Sequence, residues 1–204
     1  MVVQQLINKI NELSTIKENV IVAVEGMAAA GKSSLASLLK ERYSCNIFSM
    51  DDFFLRPEQR TPERLAEPGG NIDYERFTEE IITPLVKPFI APLDTSSQTK
   101  KTFTYRPYDC KIQELTASVT VNVNSLSIIE GVYCMHPKIL DLSIEKCIYD
   151  ISVFMKIDEY TQRQRLQERS PHLYERFINE WIPMENMYFK HFQIPEKCDI
   201  LIES

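Results

Sequence analysis

Apolar residues recur along the chain at two spacings, and the switches between them outline the elements. Residues 3–18 place Val3, Leu6, Ile7, Ile10 and Leu13 on one face of a 3.6-residue period, which predicts an amphipathic helix. The unbroken apolar run from Val20 to Val24 predicts a buried strand. A glycine-bounded turn follows from Gly26 to Ser33, and residues 33–42 return to helical spacing with Leu35, Leu38 and Leu39 facing inward. Cys45 to Ser49 reads as a second short strand. Residues 53–72 are rich in Pro, Arg, Glu and Gly and read as a loop closing on Pro68-Gly69-Gly70. A helix is predicted over 73–86, with Phe77, Ile81, Ile82 and Leu85 inward. Residues 87–100 are irregular, and Lys101–Tyr105 with Ser118–Val123 form a β-excursion. Buried strands are predicted from Leu126 to Ile129, ending in Glu130-Gly131, and from Cys147 to Ile157. Helices follow over 159–169 and 172–191, with Pro183 a kink point in the second. Leu173, Phe177, Ile178, Trp181 and Ile182 form a helical stripe that reads as core. Asp199 to Ile202 is a last short strand. There is no internal repeat and no low-complexity segment.

Strands alternating with helices imply an α/β sandwich of three layers, a parallel central sheet covered on both faces. In such sheets ligands bind at the carboxyl ends of the strands. Glu25-Gly26, Met50-Asp51 and Glu130-Gly131 all fall at such ends. The first carries the strongest signal. Gly26, Met27, Ala28, Ala29, Ala30, Gly31, Lys32 and Ser33 fit G-x-x-x-x-G-K-[ST], between a strand and a helix. A tight turn feeding a helix N-terminus offers several backbone N–H groups to phosphate oxygens, Ser34 in its first turn included. Glycine permits positive φ and close approach. Lys32 places a cation on the β- and γ-phosphates, and Ser33 offers a hydroxyl to Mg²⁺. The D-x-x-G and N-K-x-D patterns of a signalling GTPase do not occur. Asp51 and Asp52 instead follow the second strand. They read either as loop caps or, facing the phosphate loop across the sheet top, as acids that orient an attacking hydroxyl, take its proton and help hold Mg²⁺.

Composition narrows the partners. The chain has 204 residues, 44% hydrophobic and 25% charged, which fits one domain over 1–204 with a small helical lid at about 159–175 and an acceptor-side insertion at about 53–125. A net charge of −6 argues against nucleic acid as the main partner. Cys45, Cys110, Cys134, Cys147 and Cys198 are odd in number and scattered, with no CxxC pair and no histidine at zinc spacing. Reduced thiols in a soluble cytoplasmic protein are expected. The polar N-terminal segment is neither a signal peptide nor a membrane span, so no membrane partner is expected.

The segment Phe48-Ser49-Met50-Asp51-Asp52-Phe53-Phe54 resembles the S-x-D-[SD]-F-[YF] segment of the uridine kinase family, and nicotinamide riboside kinases share its Asp-Asp-Phe-Phe form. Asn71-Ile72-Asp73 is similar to that family's N-F-D segment, Ile129-Glu130-Gly131 to its E-G strand end, and the tail from Phe189 to Ile202 to its closing segment. The resemblance implies a P-loop NTPase fold, ATP, Mg²⁺ and a 5′-hydroxyl acceptor on a ribosyl compound such as uridine or cytidine. It implies Asp51 as base, Glu130 and Ser33 at the metal with Asp51, Asp73 on the ribose, and homo-oligomeric assembly. Tyr105 matches the family's base-contacting tyrosine, but no histidine follows in Arg106-Pro107-Tyr108-Asp109-Cys110, which leaves the base open. Other small alcohols, nicotinamide riboside or pantothenate, remain alternative acceptors. A regulatory ATP-binding protein with no acceptor is the reading from a different class.

Arg163, Arg165 and Arg169 lie on one helical segment where the family carries lid arginines. Arg165 and Arg169 share a face, with Arg163 off it on the nucleotide side. They read either as stabilisers of charge on the transferred group or as a solvated face paired with Glu159 and Glu168. Phe53, Phe54 and Tyr74 either frame the acceptor pocket or pack in the core, and His136 reads as structural. If Lys32 neutralises the phosphates, Lys32→Ala will abolish most turnover in an ATP-consumption assay; full activity would remove Lys32 from catalysis.

Overall fold

A computed structural model describes residues 2–90, 102–140 and 148–204. Most of the irregular stretch read at 87–100, the Lys101 end of the excursion and the Cys147 start of a strand lie outside the described residues. Helix α1 (Val2–Ile16) leads into β1 (Val20–Gly26), α2 (Lys32–Arg42) and β2 (Cys45–Ser49). Short helices α3 (Pro62–Ala66) and α4 (Tyr74–Phe77) precede α5 (Thr83–Ile90). Strands β3 (Thr102–Tyr105), β4 (Tyr108–Asp109), β5 (Glu114–Leu115) and β6 (Val119–Asn122) lead to β7 (Leu126–Glu130). Then come α6 (Pro137–Leu140), β8 (Ile151–Lys156), α7 (Glu159–Arg169), α8 (Tyr174–Arg176), α9 (Ile182–Phe192), α10 (Ile194–Lys197) and β9 (Ile200–Glu203).

Five strands form one parallel sheet in the order β2-β7-β1-β8-β9. The central position of β1 explains its sequence. All seven of its residues are buried, and successive side chains enter opposite cores. Val20, Val22 and Val24 join Leu6, Ile7 and Ile10 of α1 and Leu35, Ala36 and Leu39 of α2. Ile21 and Ala23 face Phe77, Ile81, Ile82, Leu85, Tyr188 and Phe189 on the other side. The expected three-layer α/β architecture is therefore present. Register brings the site-bearing ends abreast: Ser49 pairs with Glu130, Val24 with Glu130, and Gly26 with Met155.

Several local expectations need correction. Leu38 is 45% exposed, because the buried stripe of α2 runs through Lys32, Leu35, Ala36 and Leu39. The 53–72 segment is not simple loop: it carries α3, capped by Thr61 Oγ1, which accepts the Arg64 N–H at 3.2 Å. The stripe from Leu173 to Ile182 is only half-buried and is not core. Phe177 and Trp181 pack edge-to-face on each other at 4.6 Å, with Arg169 and Arg176 over their rings. The core contacts come about two turns later, from Tyr188 and Phe189. The kink expected at Pro183 takes the form of a widened π turn over Phe177–Trp181, closed by the Ile182 N–H on the Phe177 carbonyl. The excursion is a β3–β6 antiparallel pair with a second small pair, β4–β5, between its strands.

Among the described residues no helix is long and apolar enough to cross a membrane. The four described cysteines, Cys45, Cys110, Cys134 and Cys198, are unpaired.

Gly26 leaves β1 at φ +144°, where a Cβ would lie 2.2 Å from the Met155 carbonyl oxygen of β8. Both strain and clash oppose any side chain there. Gly26→Ala is expected to cost about 2 kcal/mol or more of stability, measured by urea unfolding; a change under about 0.5 kcal/mol would show that the two strands separate easily.

Candidate active site

The turn between β1 and α2 is held from several sides. Met27 donates its N–H to the Met155 carbonyl at 3.0 Å, and Ala30 donates to Met27 at 3.2 Å. Ala29 and Gly31 adopt left-handed backbone, at φ 59° and 94°. Gly31 thereby caps α2 without a side chain and leaves the helix N-terminus open to an anion. Lys32 is 8% exposed, and its Nζ folds back on the Gly26 and Met27 carbonyls at 2.8 and 2.9 Å. Ser33 and Ser34 are exposed on the first turn of α2.

Helix α7 grips the same turn through its carbonyls. Gln162 Nε2 donates to the Ala28 oxygen at 2.9 Å, and Arg165 Nη1 to the Ala29 oxygen at 3.1 Å. Arg169 projects its charge onto Asp51. Arg163 points elsewhere: it pairs with Glu159 at 2.7 Å on the exposed helix surface and borders a cavity shared with Met27, Gln162, Ile178 and Ile182. The structure thus brings Arg165 and Arg169 to the turn and its acids, and leaves Arg163 at the margin.

The acids converge on the other side. Ser49 Oγ accepts the Asp51 N–H at 3.4 Å at the start of a 3₁₀ turn over Met50–Phe53, which points Asp51 out of the strand end. Ser33 Oγ lies 3.3 and 3.2 Å from the two Glu130 oxygens. Burial raises the pKa of Asp51 although solvent reaches its side chain, and the charges of Lys32 and Arg169 oppose that rise. Glu130 is raised by burial first and by the charge of Asp51 second. Two carboxylates, a hydroxyl and a lysine therefore share one electrostatic site. Hard oxygen donors of this kind suit Mg²⁺, which takes one or two carboxylates and completes its shell with phosphate and water. Ser33 and Glu130, with Asp51 beside them, fit that ion. Among the described residues no cluster of three or more His, Cys, Asp or Glu forms an all-protein metal cage.

Three expected acceptor contacts lie deeper than the sequence implied. Phe53 is fully buried, stacked on Tyr105 at 5.8 Å and edge-on to Phe77 at 5.0 Å, with the Arg76 guanidinium 4.2 Å from its centroid. A direct substrate contact from Phe53 is therefore corrected to a wall of the core. Tyr105 is 9% exposed and hydrogen-bonds Asp52 Oδ2 at 3.4 Å; burial and the Asp52 charge push its pKa up to about 12. Asp73 is 2% exposed and already engaged. It caps α4 by accepting the Arg76 N–H at 3.1 Å, accepts Gln59 Nε2 at 2.9 Å, and pairs with Arg76 Nε at 3.6 Å. His136 is structural as expected, stacked between Tyr74 and Tyr188.

Two acids at the site have no role assigned from the sequence: Glu25, placed there only at a strand end, and Glu185. Glu25 is fully buried and accepts N–H groups of Tyr133 at 2.8 Å, Met135 at 3.0 Å and Gly26 at 3.4 Å, and the Tyr188 hydroxyl at 3.2 Å. Its only sequence signal is a carboxylate closing an otherwise apolar strand. Glu185 Oε2 accepts the Ala28 N–H at 3.0 Å from α9, 157 residues away, and had no local signal.

No protein-family model and no curated protein matches the sequence. Solved structures do. A protein described as a possible uridine kinase from Bacillus stearothermophilus aligns with a TM-score of 0.56 at 18% identity, over 97% of this chain and 99% of that one. YFH7 from Saccharomyces cerevisiae, which carries a circular permutation, aligns at 0.61 and 12% identity over 100% and 99%. D-glycerate 3-kinase from Cryptococcus neoformans aligns at 0.55 and 12% identity over 91% and 87%. At these identities the likeness establishes the fold alone, an α/β architecture with a central parallel sheet flanked by helices.

Burial pushes the Glu25 pKa from 4.5 to about 7. Between those values the folded chain binds a proton that the unfolded chain does not. The contribution is fully present below about pH 4.5, falls as pH rises, and is lost above about 7. Urea unfolding should therefore show stability falling from about pH 4.5 to about pH 7, and Glu25→Gln should reduce the slope, the rest coming from Glu185, whose pKa burial also raises to about 7. An unchanged slope in that variant would remove Glu25 as its source.

Proposed function

We propose that the chain is a magnesium-dependent phosphotransferase that passes the γ-phosphoryl group of ATP directly to a hydroxyl of a small molecule, most readily the 5′-hydroxyl of a nucleoside such as uridine or cytidine. The observation that carries the reading is the meeting of three groups at the mouth of the phosphate loop: Lys32 Nζ on the loop carbonyls, Ser33 Oγ within 3.3 Å of Glu130, and Asp51 following the strand end that pairs with Glu130. A loop that merely stored a nucleotide would have no use for a second carboxylate at that point.

On this reading each group has a role. Backbone N–H groups at the start of α2 bind the phosphate chain. Lys32 exchanges the Gly26 and Met27 carbonyls for phosphoryl oxygens. Arg169 adds positive charge where the equatorial oxygens become more negative. Ser33 and Glu130 would hold magnesium, which when bound neutralises charge on the β- and γ-oxygens. Asp51 orients the acceptor hydroxyl and takes its proton; its raised pKa makes it a better base than a free carboxylate. Positioning and charge neutralisation supply most of the rate in such a loose transition state.

A second acceptor class has a specific observation in its favour. Phe53, Tyr105 and Asp73, the side chains expected to meet a nucleoside, are buried, and Asp73 would have to exchange Gln59 for a ribose. That favours a small alcohol without a ribose, such as pantothenate; a fold neighbour is a D-glycerate 3-kinase. A thermal-shift panel of these alcohols with a non-hydrolysable ATP analogue and magnesium separates the two classes, since the true acceptor raises the melting temperature.

Asp51→Asn is expected to keep ATP binding and lower turnover by roughly 10²–10⁴-fold. Turnover within a few-fold of wild type would remove Asp51 from the role of base.

A further inference from the structure

The phosphate loop is bonded both within itself and from outside, by Met155, Gln162, Arg165 and Glu185. The Lys32 ammonium rests on carbonyls of its own loop. The Ala28 peptide is held at both ends by other elements: its oxygen by Gln162 of α7 at 2.9 Å, its N–H by Glu185 of α9 at 3.0 Å. Glu185 is 6% exposed, and its carboxylate lies within the fields of Lys32, Asp51 and Arg169. Burial pushes its pKa up to about 7, so above that pH a carboxylate sits on a loop N–H beside the loop lysine. A phosphoryl oxygen has the same chemistry and seeks the same kind of donor.

We propose that Glu185 is a stand-in anion for the phosphate loop, occupying the Ala28 N–H beside Lys32 until the terminal phosphoryl group of a nucleoside triphosphate displaces it. Two anions cannot share this donor and this cation without repulsion, which the low-polarity surroundings screen poorly. Entry of the triphosphate breaks the Glu185 contact and frees the start of α9 from the loop. The contact keeps the loop's buried donor paired when no nucleotide is present, and it lowers the affinity for nucleotide by the free energy of its own displacement. It also ties the α9 segment to occupancy of the loop. The inference rests on the nucleotide-binding half of the proposed function and is independent of the acceptor.

Calorimetric titration of a non-hydrolysable ATP analogue with magnesium into wild type and Glu185→Gln, at a pH well above the Glu185 pKa of about 7, tests it. Glutamine keeps the size and an oxygen for the Ala28 N–H but removes the charge. The variant should bind the analogue roughly tenfold or more tightly, while both proteins bind adenosine, which lacks phosphate, equally. Equal or weaker binding of the analogue by a folded variant overturns the proposal. If neither protein binds the analogue, the nucleotide reading itself falls and takes the proposal with it. Wild type provides a check that needs no variant. On adding the analogue, amide exchange should slow across residues 26–33 and quicken across the first turn of α9. Slower exchange in both segments would overturn the proposal.

Discussion

The Glu25 carboxylate has no water to solvate it, so the surrounding chain must supply its hydrogen bonds. It closes the central strand and is fully buried, and its four donors come from three different parts of the molecule. The Gly26 N–H belongs to the phosphate loop, the Tyr133 and Met135 N–H groups to the segment after Glu130, and the Tyr188 hydroxyl to α9. A buried charge without such partners is costly, and removing one donor leaves the rest imperfectly paired. Glu25 therefore fixes, in one cluster, the start of the loop, the exit from the strand that carries Glu130, and the helix that carries Glu185. The geometry of the candidate site follows from this arrangement more than from the loop motif alone.

Parallel sheet register then determines which groups meet. Because β2, β7 and β1 end abreast, residues from three distant parts of the sequence face one cleft. The close approach of Gly26 to β8 brings the strand that leads into α7 beside the loop. Through Gln162 and Arg165, α7 then reaches the loop carbonyls. A rigid floor of strands with helices α7 and α9 touching the loop from above can respond to an occupant while its acids stay in place.

The sequence was most informative where chemistry is local. An unbroken apolar run identifies a strand buried on both faces, and G-x-x-x-x-G-K-S carries its own backbone logic, so β1, the loop and α2 were readable at once. Asp51 was readable because it follows a short apolar strand. Burial of Phe53, Tyr105 and Asp73 was not, since a short loop leaves their direction to tertiary packing: Phe53 turns inward because Phe77 and Tyr105 meet it there. The half-buried stripe at Leu173–Ile182 misled for the converse reason. Its periodicity is genuine, but the π turn before Pro183 shifts the inward face toward Tyr188 and Phe189. Glu185 carries no mark in its own neighbourhood, because what makes it distinctive is a partner on another element.

The central claim is chemical: a γ-phosphoryl group reaches an alcohol between Lys32 and Asp51. Phosphorus NMR of the protein incubated with ATP, magnesium and one candidate alcohol at a time reads that directly. The account predicts, for at least one alcohol, a new phosphate monoester resonance growing as the γ-signal of ATP declines, with little free phosphate. ATP consumed only to inorganic phosphate, at the same rate with every alcohol, would contradict it.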